Sequence, residues 1–90
     1  MRFVLFYESA DDVLTKAPPH FPADSARLDE FHRAGTLLMM GPFGNPQSEG
    51  SMSIFITRDA AEEFARPDPF VFSGVIRNWY IRESDEALQP

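Results

Sequence analysis

The sequence contains no cysteine, and this absence excludes two ways of stabilising a chain of 90 residues. Disulfides cannot form, and thiolate zinc sites cannot be built. A chain of this length has one hydrophobic core, so we expect a single domain that depends on packing alone. The lack of cysteine also fits a reducing compartment, and we expect a cytoplasmic protein.

Basic residues and long apolar runs are also scarce. Eight Lys and Arg against fourteen Asp and Glu give a formal net charge of −6. Binding to nucleic acids depends on neutralising phosphates, so this balance disfavours nucleic acid and anionic membrane surfaces as partners. The apolar run between Phe3 and Tyr7 is too short for a signal-peptide core or a membrane span. We therefore expect no nucleic-acid partner and no membrane partner.

The common cofactor and nucleophile motifs are missing as well. The stretch "GPFGNPQSEG" contains glycines but has neither the spacing nor the lysine of a phosphate-binding loop. No Ser-His-Asp signature stands at a nucleophile elbow. We expect no cofactor and no metal, although His20, Asp24 and Asp68 together would be the candidate ligands if a metal were held.

Apolar periodicity gives the element order β-α-β-β-α-β. The predicted elements are strands over 2–7, 36–43, 51–57 and 75–82 and helices over 23–35 and 58–65. This order is typical of the ferredoxin-like α+β fold, a four-stranded antiparallel sheet with two helices on one face. The prediction places one domain at 1–82 and a charged tail at 83–90. In the first helix, Arg27 is expected to face water.

The first predicted strand is apolar on both faces. Phe3, Leu5 and Tyr7 point to one side of the sheet, and Val4 and Phe6 point to the other. Two helices cover only one face, so the other face needs a partner. Pairing the open faces of two copies is the simplest solution, and it predicts a homodimer.

Four stretches together resemble the YciI-like (YCII-related) family: "FVLFY", "FPADSARLDEFHRAGTLLMMGPF", "ARPDPFVFSGV" and the closing "WYIR". The resemblance implies a dimeric α/β-barrel built from ferredoxin-like subunits. It also implies a small protein of a kind often proposed to be an enzyme, a few relatives acting on chlorinated or lactone-type small molecules. A His-Asp pair in a cleft is the implied catalytic constellation. Asp68 matches the aspartate of that pair, whereas Asp24 stands where the family has histidine.

Each candidate residue has two interpretations. Asp24 either shares a proton with Asp68, which would raise its pKa, or caps the first helix. His20 either replaces the missing imidazole or is a solvated loop residue. Asp68 lies between Pro67 and Pro69, and it either takes part in chemistry or bonds local backbone N–H groups in a turn.

Two functions follow from these alternatives. The first is an enzyme that performs acid/base proton transfer or elimination on a small organic molecule, using Asp68 with Asp24 or His20. An aspartate needs its pKa raised before it can do this near neutral pH. The second is a non-catalytic dimeric module that binds a small ligand or a protein and has lost the family histidine. An Asp68 carboxylate within hydrogen-bond reach of Asp24 or His20 in a concave pocket would favour the enzyme, and one bonded to local backbone groups would favour the binding module.

Overall fold

Four antiparallel strands form one sheet in the computed structural model, which describes residues 1–85. The strands are β1 (Arg2–Ser9), β2 (Leu37–Pro42), β3 (Ser51–Phe55) and β4 (Ile76–Ser84). Their order is β2-β3-β1-β4, so that β1 pairs with β3 on one side and β4 on the other. This is the ferredoxin-like arrangement, and the predicted fold class is confirmed.

Two longer helices and three single-turn helices complete the described chain. They are α1 (Val13–Lys16), α2 (Phe21–Arg33), α3 (Pro46–Glu49), α4 (Arg58–Ala65) and α5 (Pro69–Phe72), with a 3₁₀ turn at Pro18–His20. The helix predicted over 23–35 therefore begins and ends two residues earlier. Pro22 fits the first turn, where the backbone N–H groups have no partner within the helix. None of these helices has the length and apolar character needed to cross a membrane.

The last strand is longer than predicted at its C-terminal end. Glu83 and Ser84, assigned above to the tail, belong to β4 and pair with Phe3 and Arg2 of β1. The long partner strand β1 provides backbone groups for these residues, which sequence pattern alone did not reveal. Asp85 follows the strand, and the other residues of the predicted tail, 86–90, lie outside the described residues.

The core lies between the sheet and the two longer helices. Leu5, Phe55 and Phe64 are almost completely buried, and Phe31 of α2 packs edge-on against Phe64 at 5.2 Å between ring centroids. Burial of each such side chain stabilises the fold by roughly 1.5–3 kcal/mol. This packing fixes α2 and α4 against the sheet and so fixes the position of the segment around Asp68 that follows α4.

The opposite face of the sheet carries a second set of apolar side chains. Val4 pairs with Ile54, and Phe6 pairs with Met52 on one side and with Tyr80 on the other. The rings of Phe6 and Tyr80 stack at 5.2 Å. These side chains remain half-buried or exposed, in agreement with the predicted two-sided apolar character of β1.

Candidate functional site

A cavity of about 420 Å³ lies where the sheet meets the short helices and the start of α2. Most of its lining is apolar and comes from several elements: Val13, Leu14, Ala17, Phe21, Met40, Phe70, Val75 and Ile76. Four polar side chains also reach it: Tyr7, Ser9, Asp24 and Ser51. An apolar pocket with a few convergent polar groups is the usual form of a small-molecule site.

One wall of the cavity is held in place by Gln47 of α3. Its side-chain oxygen accepts a hydrogen bond from Val13 N–H at 2.8 Å, and its amide nitrogen donates to the Ala10 carbonyl at 2.8 Å. Between these two contacts lies Asp12, whose φ of 59° is in the left-handed region. One side chain thus ties both ends of the turn that leads into α1.

Asp68 lies beneath the cavity and is completely buried. It is the N-cap of α5, where its Oδ1 accepts a hydrogen bond from Phe70 N–H at 2.9 Å. Pro67 and Pro69 end α4 and begin α5, so the chain presents the carboxylate inward. Its second oxygen, Oδ2, accepts a hydrogen bond of 2.5 Å from the hydroxyl of Tyr7 on β1.

Arg27 supplies the positive charge next to this carboxylate. Its Nη1 lies 3.7 Å from Oδ2 of Asp68 and is buried without a hydrogen bond among the described residues. Its Nη2 donates to the carbonyls of Phe64 at 2.7 Å and Glu63 at 3.3 Å. These carbonyls belong to the last turn of α4, where the helix dipole favours a cation. The prediction that Arg27 faces water is therefore wrong.

Asp24 lies one turn before Arg27 on α2 and is half-buried on the cavity wall. Burial, followed by the negative charge of Asp68, raises the pKa of Asp24 from 3.8 to about 6, and Arg27 partly opposes this rise. The capping interpretation is wrong, because α2 begins earlier and His20 holds the N-cap position. Asp24 is instead an acidic residue within the first turn.

Tyr7 is a neutral donor in this arrangement. Burial raises its pKa well above the ordinary value, and the charge of Asp68 and the hydrogen bond to it act in the same direction. A phenol in this state keeps its proton, donates a hydrogen bond to a carboxylate and does not serve as a base. Tyr7 therefore links the cavity to the buried Asp68.

His20 does not join this group. Its ring meets Phe70 edge-on at 6.1 Å between centroids, and within residues 1–85 no hydrogen bond or ion pair connects it to Asp24 or Asp68. Nor does any set of three His, Asp or Glu side chains in that range lie close enough together to hold a metal ion. The structure thus brings the two aspartates into electrostatic contact and leaves the histidine beside them.

The sequence did not predict that Tyr7 and Arg27 lie beside Asp68. The alternation along β1 places Tyr7 on the same face as Phe3 and Leu5, but nothing in the sequence indicates that Asp68, 61 residues later, is its partner. Arg27 looked like an ordinary polar position on α2. Its carbonyl partners on α4 exist only once the two helices pack together.

The fold and this site together define a small α+β protein with a ligand-sized cavity beside buried charges. The YCII-related domain matches residues 1–85 of the chain, and the protein belongs to that family.

Two solved structures show the same fold. One is 5-chloro-2-hydroxyhydroquinone dehydrochlorinase from Burkholderia phenoliruptrix in complex with 2,5-dihydroxybenzoquinone, with 19% identity, 94% of both chains covered and a TM-score of 0.73. The other is the solution structure of a hypothetical Arabidopsis thaliana protein, with 16% identity, 99% of this chain and 89% of that chain covered, and a TM-score of 0.51. No curated protein matches the sequence.

Proposed function

We propose that this protein is an enzyme that transfers a proton to or from a small organic molecule bound in the cavity, with Asp24 as the general acid and base. The observation that carries the proposal is a carboxyl group with a pKa of about 6 on the wall of an apolar cavity. Proton transfer is most efficient when the pKa of the catalytic group lies near the working pH. Asp24 therefore titrates in the pH range in which a histidine would titrate.

Asp68 acts on Asp24 rather than on the substrate in this proposal. Both of its oxygens are occupied, one by Phe70 N–H and the other by the Tyr7 hydroxyl. Its charge helps to raise the pKa of Asp24. Asp68 is therefore a positioning residue, and His20 is a neighbour of the cavity without a proton-transfer step.

An elimination is one reaction that this arrangement would support. The Asp24 carboxylate would take a proton from the substrate, the freed electron pair would form a new double bond, and a leaving group such as chloride would depart with its bonding pair. The similar Burkholderia protein is a dehydrochlorinase, which supports this reaction class at the level of the shared fold. The apolar walls would exclude water from the reacting atoms.

Chloride release from a panel of small chlorinated hydroquinones, measured between pH 5 and 8, tests the proposal. The rate should rise through about pH 6 as Asp24 ionises. Asp24→Asn should lower it by about a hundredfold or more, which is the usual contribution of a general base. Asp29→Asn, on the exposed face of the same helix, is the matched control and should leave the rate unchanged. Full activity in Asp24→Asn would exclude Asp24 as the base.

A second function is favoured by the occupied oxygens of Asp68. A buried carboxylate fully used by Phe70 and Tyr7 is also what a non-catalytic binding module would contain. Asp24→His distinguishes the two functions. If this variant gains an activity that the natural chain lacks, the natural chain binds a ligand without turning it over.

We also propose that two copies pair through the open sheet face as a homodimer. The stacked rings of Phe6 and Tyr80 lie on this face, and Tyr80 keeps 41% of its surface exposed. Covering these side chains would remove apolar surface from water. Light scattering at micromolar concentration should give twice the mass of the chain, and Phe6→Asp should give the single mass. A monomer in the unmodified protein would contradict this proposal.

A further inference from the structure

The polar groups that line the cavity are arranged mainly as hydrogen-bond acceptors. The hydroxyl of Tyr7 donates its hydrogen to Asp68, and the hydroxyl of Ser9 donates its hydrogen to the Pro46 carbonyl at 2.6 Å. Both hydroxyls therefore leave lone pairs as their remaining hydrogen-bonding capacity. The ionised carboxylate of Asp24 is an acceptor only, and Ser51 alone keeps a hydroxyl that can turn either way.

The charge that faces the cavity is negative. Among the described residues that line it, none is Lys, Arg or His. Arg27 lies behind this surface, with its guanidinium between Asp68 and the carbonyls at the end of α4. The charged groups acting on Asp24 are thus Asp68 at the N-cap of α5 and Arg27 from α2, and the neutral Tyr7 lies beside Asp68 on β1. With both carboxylates ionised, their charges and that of Arg27 sum to −1.

We propose that the cavity selects a small molecule with an apolar body and a hydrogen-bond-donating head, a protonated amine ahead of a hydroxyl, and rejects carboxylates and other anions. The inference rests on the proposed function only for the location of the site. An ammonium group would place a positive charge on the cavity side of Asp24 and would form a charge-assisted hydrogen bond with it. The apolar body would pack against the apolar walls, where each Å² of apolar surface removed from water contributes about 25 cal/mol to binding. An anion would meet acceptors and a like charge.

Three probes with one body and different heads test this selection. Naphthylmethylamine, naphthylmethanol and naphthoate are titrated into the full chain at pH 7.5 by calorimetry. The expected order of affinity is amine, alcohol, carboxylate, with the amine about tenfold or more tighter than the carboxylate. Asp24→Asn should remove the advantage of the amine over the alcohol. Asp29→Asn should preserve the whole order.

Three results would overturn the inference: naphthoate binding as tightly as the amine, no binding by any probe, or an amine preference that survives Asp24→Asn. The test is separable from the proposed function, because it measures binding and not turnover. If the probes bind in the predicted order but no chloride is released, only the enzymatic proposal is contradicted. If chloride release depends on Asp24 but the order of affinity is reversed, only the proposed class of ligand is contradicted.

Discussion

The hydroxyl of Tyr7 donates a 2.5 Å hydrogen bond to the buried carboxylate of Asp68 across 61 residues of chain. This contact ties the central strand β1 to the N-cap of α5. It also fixes the direction of the tyrosine hydrogen, which points away from the cavity that Tyr7 lines. The stability of the fold and the polarity of the cavity thus depend on the same bond.

Removing the tyrosine hydroxyl should destabilise the fold measurably. Tyr7→Phe leaves Oδ2 of buried Asp68 without its hydrogen-bond donor, which costs about 1–3 kcal/mol. Urea denaturation gives the change in the free energy of unfolding. Thr15→Val is the control, because Thr15 carries an exposed hydroxyl on α1 and its replacement should change stability by less than about 0.5 kcal/mol. Equal effects of the two substitutions would show that the Tyr7–Asp68 bond contributes nothing.

Replacing the buried carboxylate should cost more than removing its donor. Asp68→Asn removes the negative charge beside Arg27, and an uncompensated partner in a buried pair costs about 3 kcal/mol. Asp68→Ala also removes the cap on Phe70 N–H, adding about 1 kcal/mol. Denaturation of both variants beside Asp59→Asn, an exposed aspartate of α4, measures the difference. Losses below 1 kcal/mol for both would contradict a structural role for the pair.

Asp24 should lower the stability of the fold when it is ionised. Its folded pKa of about 6 lies above the ordinary 3.8, so the folded state binds the proton more tightly than the unfolded chain. The contribution of Asp24 to stability is therefore greatest below about pH 4, decreases as the pH rises towards 6 and then stays constant. Since Asp24 is only partly buried, solvent screening reduces the effect to on the order of 1 kcal/mol.

Asp24→Asn isolates this contribution. The variant should gain stability relative to the unmodified chain above pH 6 and lose that relative gain below pH 4. Chemical denaturation across this pH range gives the difference curve. A curve independent of pH would mean that the folded and unfolded pKa values of Asp24 are the same.

The segment of the cavity wall around α1 should open more easily when the hydrogen bonds of Gln47 are removed. Gln47→Leu keeps a side chain of similar size but loses the bonds to Val13 N–H and the Ala10 carbonyl. Amide hydrogen exchange at residues 13–17 should accelerate about tenfold or more, because local opening becomes easier by more than 1.4 kcal/mol, while exchange in β1 and β3 stays unchanged. Ser48→Ala, an exposed neighbour on α3, should have no effect on these amides. Unchanged protection in Gln47→Leu would show that packing alone holds the wall.

The sequence predicted the fold because its local signals agree with one another. Alternation in β1 and the two prolines around Asp68 each specify a local structure, and both are present. The ends of elements were less predictable. The start of α2 depends on how a proline-rich loop packs, and the last residues of β4 are ordered by pairing with Arg2 and Phe3.

The site was predictable only where one residue carries its own signal. Asp68 could be placed from its flanking prolines, and Asp24 from its position in the resemblance. Arg27 could not, because its partners are carbonyls of a helix that is distant in the sequence. The resemblance and the second aspartate predict a raised pKa at Asp24 if the two carboxylates meet. The size of this pKa shift depends on burial and on the distance to Asp68, which only the folded chain defines.

The pKa of Asp24 is the quantity on which the proposed chemistry depends. Titration of its side-chain carboxyl carbon by NMR measures this value directly in the unmodified protein and in Asp68→Asn. The account predicts a midpoint of about 6 in the unmodified protein and a lower midpoint in Asp68→Asn, because the negative charge of Asp68 is removed. A midpoint near the ordinary value of 3.8 in the unmodified protein would contradict the assignment of Asp24 as the proton-transferring group.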